Sequence, residues 1–339
     1  MANQYFDNVV IENQYNTVLS TLIDMNQFIT IDTSLEQDAG NTKKIITKSV
    51  TGNVEDLAMG VGNSGNIEVT SLAHDYVVNT TQGRFVYYDE EAQADPFMVE
   101  AGIKGLGEKM INDFVTKAVA EWGKATLQQG YSSAIAFSDF CDALAKLNTE
   151  EEEKYFCLIS PNMVASLRKT FKDDLKYVED FTRTGYIGSV VGVPVYISKA
   201  VPAGEAIIAS KYAVRAFVKK NTEVEQERDA DHRKNSIYIR KAAVVALVDA
   251  TKVVRIAHNP TTDATITTYT KNQKTVAGAA TTGATVEVYI NGVLDGTATA
   301  ASSAYSYTAK ANLAAGDIVK VIARLAGEIN STATVTVAS

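Results

Sequence analysis

The chain has 339 residues, 46% of them hydrophobic, and a formal net charge of -8. That is enough apolar material for two or three domains, and the acidic balance argues against a basic nucleic-acid-binding surface. No apolar run approaches the roughly 18–20 residues of a membrane span, and residues 1–7 lack the basic and apolar regions of a signal peptide, so synthesis and retention in the cytosol are expected. Cys141 and Cys157 are the only cysteines and read as buried free thiols rather than a disulfide.

An N-terminal arm is expected over residues 1–42, with Tyr15, Val18, Leu19 and Leu22 at helical spacing, a strand-like run at residues 28–31 and a turn signal at residues 38–42. Residues 43–50 read as a strand, residues 51–66 as a polar, glycine-rich excursion and residues 67–72 as a second strand. With further extended runs at residues 76–78 and 83–88, the whole of residues 43–88 reads as an extended loop and ribbon with a mobile tip that carries Gly60, Gly62 and Gly65.

A long helix is expected within residues 89–129. Asp95 suits its cap and Pro96 its first position, where no backbone N–H is needed. Val99, Ile103, Leu106, Met110, Phe114 and Ala118 then recur at three- and four-residue steps, with Ile111, Val115 and Val119 widening the apolar face. On the other face Glu100 precedes Lys104, and Asp113 precedes Lys117, by the four residues that favour helix ion pairs. At about 1.5 Å rise per residue, a helix to Lys124 or beyond spans about 40 Å. Gly102, Gly105 and Gly107 each cost such a helix about 1 kcal/mol relative to alanine, which points to close packing or to a bend.

After a break at residues 130–136 a second helix starts at Ser138 and runs through Phe140, Leu144 and Leu147, ending in an acidic loop at residues 150–153. A strand at residues 155–159, a helix at residues 162–172 and short strands at residues 190–197, 206–209, 213–218, 223–228, 237–239 and 244–248 make a mixed α+β domain over residues 130–248. A ribbon at residues 252–256, within a returning strand and linker over residues 249–259, closes it. At His258-Asn259-Pro260 charges become sparse and threonine and alanine frequent, which marks a boundary. Residues 260–339 alternate strand-like runs at 285–290, 293–300, 305–309, 318–325 and 332–337 with turns that include Asn291-Gly292. About seven short strands in a small all-β sandwich are expected there.

Chemistry is harder to find. Gly60-Val-Gly-Asn-Ser-Gly65 has the glycine spacing of a dinucleotide fingerprint, but that mechanism needs a helix N-terminus next, and strand-like residues follow. His74, His232 and His258 are far apart and lack metal-ligand spacing. Asp89-Glu90-Glu91 fits an acidic approach to a helix better than an acid/base pair. No catalytic, cofactor-binding or metal-binding residue is singled out, and the chain is not expected to be an enzyme.

The order of these elements resembles the major capsid protein of tailed bacteriophages, the Hong Kong 97-like coat fold. Gly83-Arg-Phe-Val-Tyr-Tyr-Asp-Glu-Glu91, with Arg84 in it, leads into residues 95–122 and resembles the ribbon and spine helix of that family's peripheral domain. Ser160-Pro-Asn-Met-Val-Ala-Ser-Leu167 and Gly188-Ser-Val-Val-Gly-Val-Pro-Val-Tyr-Ile-Ser198 resemble its axial domain. Glu223-Val-Glu-Gln-Glu-Arg-Asp229 and Val248-Asp-Ala-Thr-Lys-Val-Val254 complete the likeness, which covers roughly residues 1–257. The tail is similar to bacterial immunoglobulin-like repeats, through Gly283-Ala-Thr-Val-Glu-Val-Tyr-Ile-Asn-Gly292, Gly296-Thr297 and Leu313-Ala-Ala-Gly-Asp317.

The resemblance implies a virion coat subunit, made and assembled in the host cytoplasm into hexamers and pentamers of an icosahedral shell. Scaffolding and portal proteins are implied partners; DNA is enclosed without specific binding, and no membrane is involved. The glycines Gly60, Gly62, Gly65, Gly102, Gly105 and Gly107, together with Arg84, Ile103, Leu106, Met110 and Phe114, become assembly candidates. Some family members weld their shells through lysine–asparagine bonds, but no lysine lies between Lys48 and Lys104, so none is expected from this loop. A shell of the encapsulin type is the nearest alternative, and a surface adhesin a third reading.

Overall fold

The computed structural model describes residues 25–36, 40–52, 54–57, 59, 62–148, 154–170, 188–267 and 269–339. The helix expected at residues 14–22, the acidic loop at residues 150–153 and Gly60 lie outside them. The chain groups into two units, Met1–Ala118 with Val214–Ala246, and Val119–Ala213 with Leu247–Ser339.

In the first unit, 3-10 turns at Met25–Gln27 and Ser34–Glu36 flank strand β1 (Thr30–Asp32). Strands β2 (Thr42–Thr51) and β3 (Glu68–Val77), rich in β-branched residues, pair antiparallel from Thr42↔Val77 to Thr51↔Glu68 and form a two-stranded sheet of their own. Val78 is buried, and its N–H donates to the Asn41 carbonyl at 2.7 Å. Strand β4 (Asn79–Tyr88), helix α1 (Asp89–Ala94) and helix α2 (Pro96–Trp122) follow.

The helix expected to start at Pro96 does so as α2 but ends at Trp122, short of Lys124; residues 89–94 form the separate helix α1, and a strand follows Trp122. Proline drives the residue before it out of the α region: Asp95 is extended at φ -139°, ψ 92°, and its Oδ1 accepts the Phe97 N–H at 3.1 Å as the cap of α2. At the other end Gly123 closes a last bond to the Val119 carbonyl at 2.9 Å. Leu127-Gln-Gln-Gly-Tyr131 then forms β5 (Leu127–Tyr131), although only Tyr131 favours a strand, because it pairs in parallel with residues 254–258.

The second unit continues with α3 (Phe137–Leu147), β6 (Tyr155–Ile159), α4 (Pro161–Thr170), β7 (Ser189–Val190), β8 (Val193–Ile197) and β9 (Ala206–Ser210). The β7–β8 turn holds Val191 at φ 50° and Gly192 at φ 77°, the left-handed pair of a type I′ hairpin.

The next two strands depart most from expectation. Four short strands were predicted; the chain instead makes β10 (Val214–Asp229) and β11 (Lys234–Leu247), of 16 and 14 residues. Charged residues break the apolar pattern but are paired across the sheet, with Arg240 Nε 3.0 Å from Glu223 Oε2, Arg240 Nη2 on Glu225, and Tyr238 donating to Glu227 at 3.2 Å. Both belong to the first unit, in a sheet ordered β1-β10-β11-β4, so residues 214–246 leave the α+β domain expected over residues 130–248.

Strand β12 (Val253–His258), expected as a returning peripheral strand, lies inside the second unit's six-stranded sheet, ordered β5-β12-β9-β6-β8-β7. It runs parallel to β5 and antiparallel to β9. Phe140 and Leu147 of α3 and Met163 and Leu167 of α4 share one apolar core with Ile159, Ile208, Val254 and Ile256 of the sheet.

From residue 260 the same unit is all-β: β13 (Thr275–Ala279), β14 (Thr285–Ile290), β15 (Val293–Thr299), β16 (Ala304–Thr308), β17 (Ile318–Arg324) and β18 (Ser331–Thr336). They form antiparallel sheets β13-β16 and β15-β14-β17-β18 around Val286, Val288, Tyr305, Val319 and Val321. Among the described residues there are six strands where about seven are expected, and Asn291 (φ 52°) with Gly292 (φ 81°) makes the anticipated hairpin turn.

Candidate assembly surfaces

The β2–β3 hairpin has two unlike faces. Directly paired residues share a face, so Tyr76 and His74 lie on one side with Lys43 and Ile45. Tyr76 stacks on Phe217 at 5.7 Å, and Lys43 Nζ donates to Ser34 Oγ at 2.6 Å, which anchors the base of the hairpin to its own unit. On the opposite side Ile46, Val50, Val69 and Val77 are 58, 65, 58 and 55% exposed, and Lys44 pairs with Asp75 at a long 3.8 Å. Val54, Leu57, Met59 and Ile67 extend the exposed apolar series through the tip.

A two-stranded hairpin with its apolar side in water is marginal by itself, and exposed apolar patches of this kind mark contact sites. At the tip, Glu55 accepts the Ser64 hydroxyl at 2.5 Å and its N–H at 2.8 Å, bonds that hold the Glu55 carboxyl below the usual carboxylate range. Gly62 and Gly65 are exposed beside this clasp, and strand β3, not a helix, follows them. The dinucleotide spacing therefore lacks the helix N-terminus a phosphate would need.

The remaining candidates meet in the first unit. Val99 and Ile103 are buried with Tyr87 and Ile237, and Met110 with Ile239, while Leu106 packs half-buried beside them. The Phe114 ring is half-buried under Lys241 Nζ, 4.8 Å from its centroid, and burial pushes the Lys241 ammonium below its ordinary pKa. Asp113 and Lys117 pair at 2.6 Å as spaced. Arg84 stands exposed on β4 opposite Tyr238. Around Gly102 a side chain would run into the Phe85 ring, whereas Gly105 has nothing within 4 Å of where a Cβ would stand. Gly107 is buried.

One cluster was not foreseen in its actual role. Asp89 accepts from Arg228 Nη2 at 3.0 Å and from Asn235 Nδ2 at 2.6 Å, and Glu90 pairs with Arg233 at 2.9 Å. The acids expected to complement a helix dipole thus also clasp the turn between β10 and β11. Arg228 holds the Asp89 carboxyl below its ordinary pKa, with Asn235 adding to the effect. The sequence signal was the run of charges on both segments, without their pairing. Among the described residues no group of three or more His, Cys, Asp and Glu side chains is placed to hold a metal, and no helix is long and apolar enough to cross a membrane.

The fold so built is that of phage capsid proteins. A chain of Mycobacterium phage Che8 superposes with a TM-score of 0.52 at 18% identity, over 67% of this chain and 88% of that one. The capsid structure of cyanophage P-SCSP1u does so with 0.53 at 12% identity, over 68% and 86%. At these identities the likeness is one of fold. In sequence, the chain is 30% identical over 118 residues to the major capsid protein of Staphylococcus phage phiMR11. The match takes in 34% of this chain and 43% of that relative's length. No family model matches the chain.

Proposed function

We propose that the protein is the major capsid subunit of a tailed bacteriophage, assembling through hexamers and pentamers into the icosahedral shell that encloses the genome. The observation that carries this reading is the β2–β3 hairpin: ten paired residues on each strand, anchored at the base and uncovered along Ile46, Val50 and Val69, in a chain with the phage-capsid fold. A neighbouring subunit is the natural cover for that side, and burying apolar area there contributes about 25 cal/mol per Å². In this reading α2 is the spine helix of the peripheral domain and the six-stranded sheet the core of the axial domain. The relative in Staphylococcus phage phiMR11 favours a viral shell over a cellular compartment.

Residues 260–339 are, in the same proposal, an immunoglobulin-like domain that projects from the outer surface. Scaffolding and portal proteins are the expected partners. The net charge of -8 suits an interior that encloses DNA without binding it tightly. The test is negative-stain microscopy of the purified chain, expressed alone and with a scaffolding protein supplied. Closed shells of uniform diameter are expected; dispersed monomers at high concentration under both conditions would overturn the proposal.

A further inference from the structure

The junction between the six-stranded sheet and the C-terminal β-domain is more than a linker. Strand β12 is flanked by β5 on one edge and by β9 on the other, but the β9 pairing ends at Ile256↔Ala206. Past that point the His258 N–H donates to the Gly327 carbonyl at 3.0 Å, and the Ile329 N–H to the His258 carbonyl at 2.7 Å. Successive N–H groups of a strand point to opposite edges, and Asn259 N–H donates to Tyr131 of β5 at 2.9 Å. Residues 327–329 therefore take over the edge of β12 that β9 vacates, as a short parallel extension of the sheet.

The same loop completes a buried ion pair. Arg255 and Glu205 are 4% and 2% exposed and joined by two bonds, Nε to Oε2 at 2.9 Å and Nη2 to Oε1 at 2.5 Å. Their remaining polar capacity is met from the C-terminal domain: Gly327 N–H donates to Glu205 at 2.6 Å, and Asn330 Oδ1 and the Leu325 carbonyl accept from Arg255 at 3.2 and 3.3 Å. Asn330 N–H donates in turn to Gln128 of β5 at 2.5 Å. A buried pair is tolerated only when such extra bonds satisfy it. The approach is too close for side chains: a Cβ on Gly327, which sits at φ +88°, would lie 2.9 Å from the Ala203 carbonyl, and one on Gly130 would meet the Asn259 side chain.

We infer that residues 325–330 are a plug that locks the C-terminal β-domain to the six-stranded sheet through the Arg255–Glu205 pair, so that the two move as one body and the domain has a single orientation. This inference does not depend on the capsid reading.

The test is hydrogen exchange on the full-length chain, comparing two variants with the original. The double variant Glu205→Met/Arg255→Leu keeps apolar volume but offers the plug no charge. The milder variant, Asn330→Ala/Gln128→Ala, leaves the ion pair in place and removes only side-chain contacts across the joint. The amides of Gly327, Ile329 and Asn330 are expected to exchange at least 10-fold faster in the first and several-fold faster in the second. Val286, Val288, Val319 and Val321 of the C-terminal core should be unchanged in both. Unchanged protection of the plug in both variants would overturn the inference. So would loss of protection throughout the C-terminal core in the milder variant, since the plug would then be part of that domain's own folding rather than a joint.

Discussion

Gly102 and Gly105 stand three residues apart on α2 under different constraints. At Gly105 the space is open, so alanine should recover helix propensity and stabilise the fold by about 0.4–1 kcal/mol. At Gly102 the same methyl meets the Phe85 ring, and displacing it costs about 1–3 kcal/mol, which cancels or reverses the gain. Paired urea titrations of the two variants check this; equal stabilisation would remove close packing as the reason for Gly102. Asp89 carries a pH dependence. Arg228 and Asn235 hold its folded pKa below the ordinary value, so its contribution is fully present above the unfolded carboxyl value of about 3.9 and is lost as pH falls through the lower folded value. Acid should open the clasp between α1 and the β10–β11 turn only as pH falls below the ordinary carboxylate range, and Asp89→Asn should open it at neutral pH. NMR shifts of the Asn235 side-chain amide would report either event, and an unmoved amide in Asp89→Asn would refute the role.

Among the elements, the β2–β3 hairpin makes the sharpest demand. Val50 and Val69 are direct partners on its uncovered side. Val50→Glu or Val69→Lys should leave the subunit's circular dichroism unchanged while raising the concentration at which light scattering detects assembly by at least 10-fold. Assembly at the original concentration would mean that this side faces no neighbour. Element existence was largely legible from local pattern: α2, the two hairpin strands, β6, α4 and β14 to β18 all stand close to where period and turn residues put them. The errors have a common cause in long-range pairing. Strand β5 is held by β12 despite its Gln-Gln-Gly content, and the charges of β10 and β11 hide two long strands because their partners are distant in sequence. The apolar face of α2 gave the candidates Ile103 and Met110 directly. The joint at Arg255 and Glu205 could not be read, because a buried ion pair leaves no periodic trace and its plug lies about 70 residues downstream.

At the scale of the whole molecule, the proposed shell would bury the uncovered hairpin between subunits, so an isolated subunit should be less stable than an assembled one. With no lysine between Lys48 and Lys104, the loop lacks the nucleophile for a lysine–asparagine weld. Shells boiled in denaturant should run as monomers, and a ladder with cross-links mapping to residues 49–103 would contradict the noncovalent account. The most direct measurement is a cryo-electron microscopy reconstruction of assembled particles. An icosahedral shell is expected in which Ile46, Val50 and Val69 of each subunit are buried against a neighbour. Particles of another symmetry, or a shell in which that side of the hairpin stays open to solvent, would contradict it.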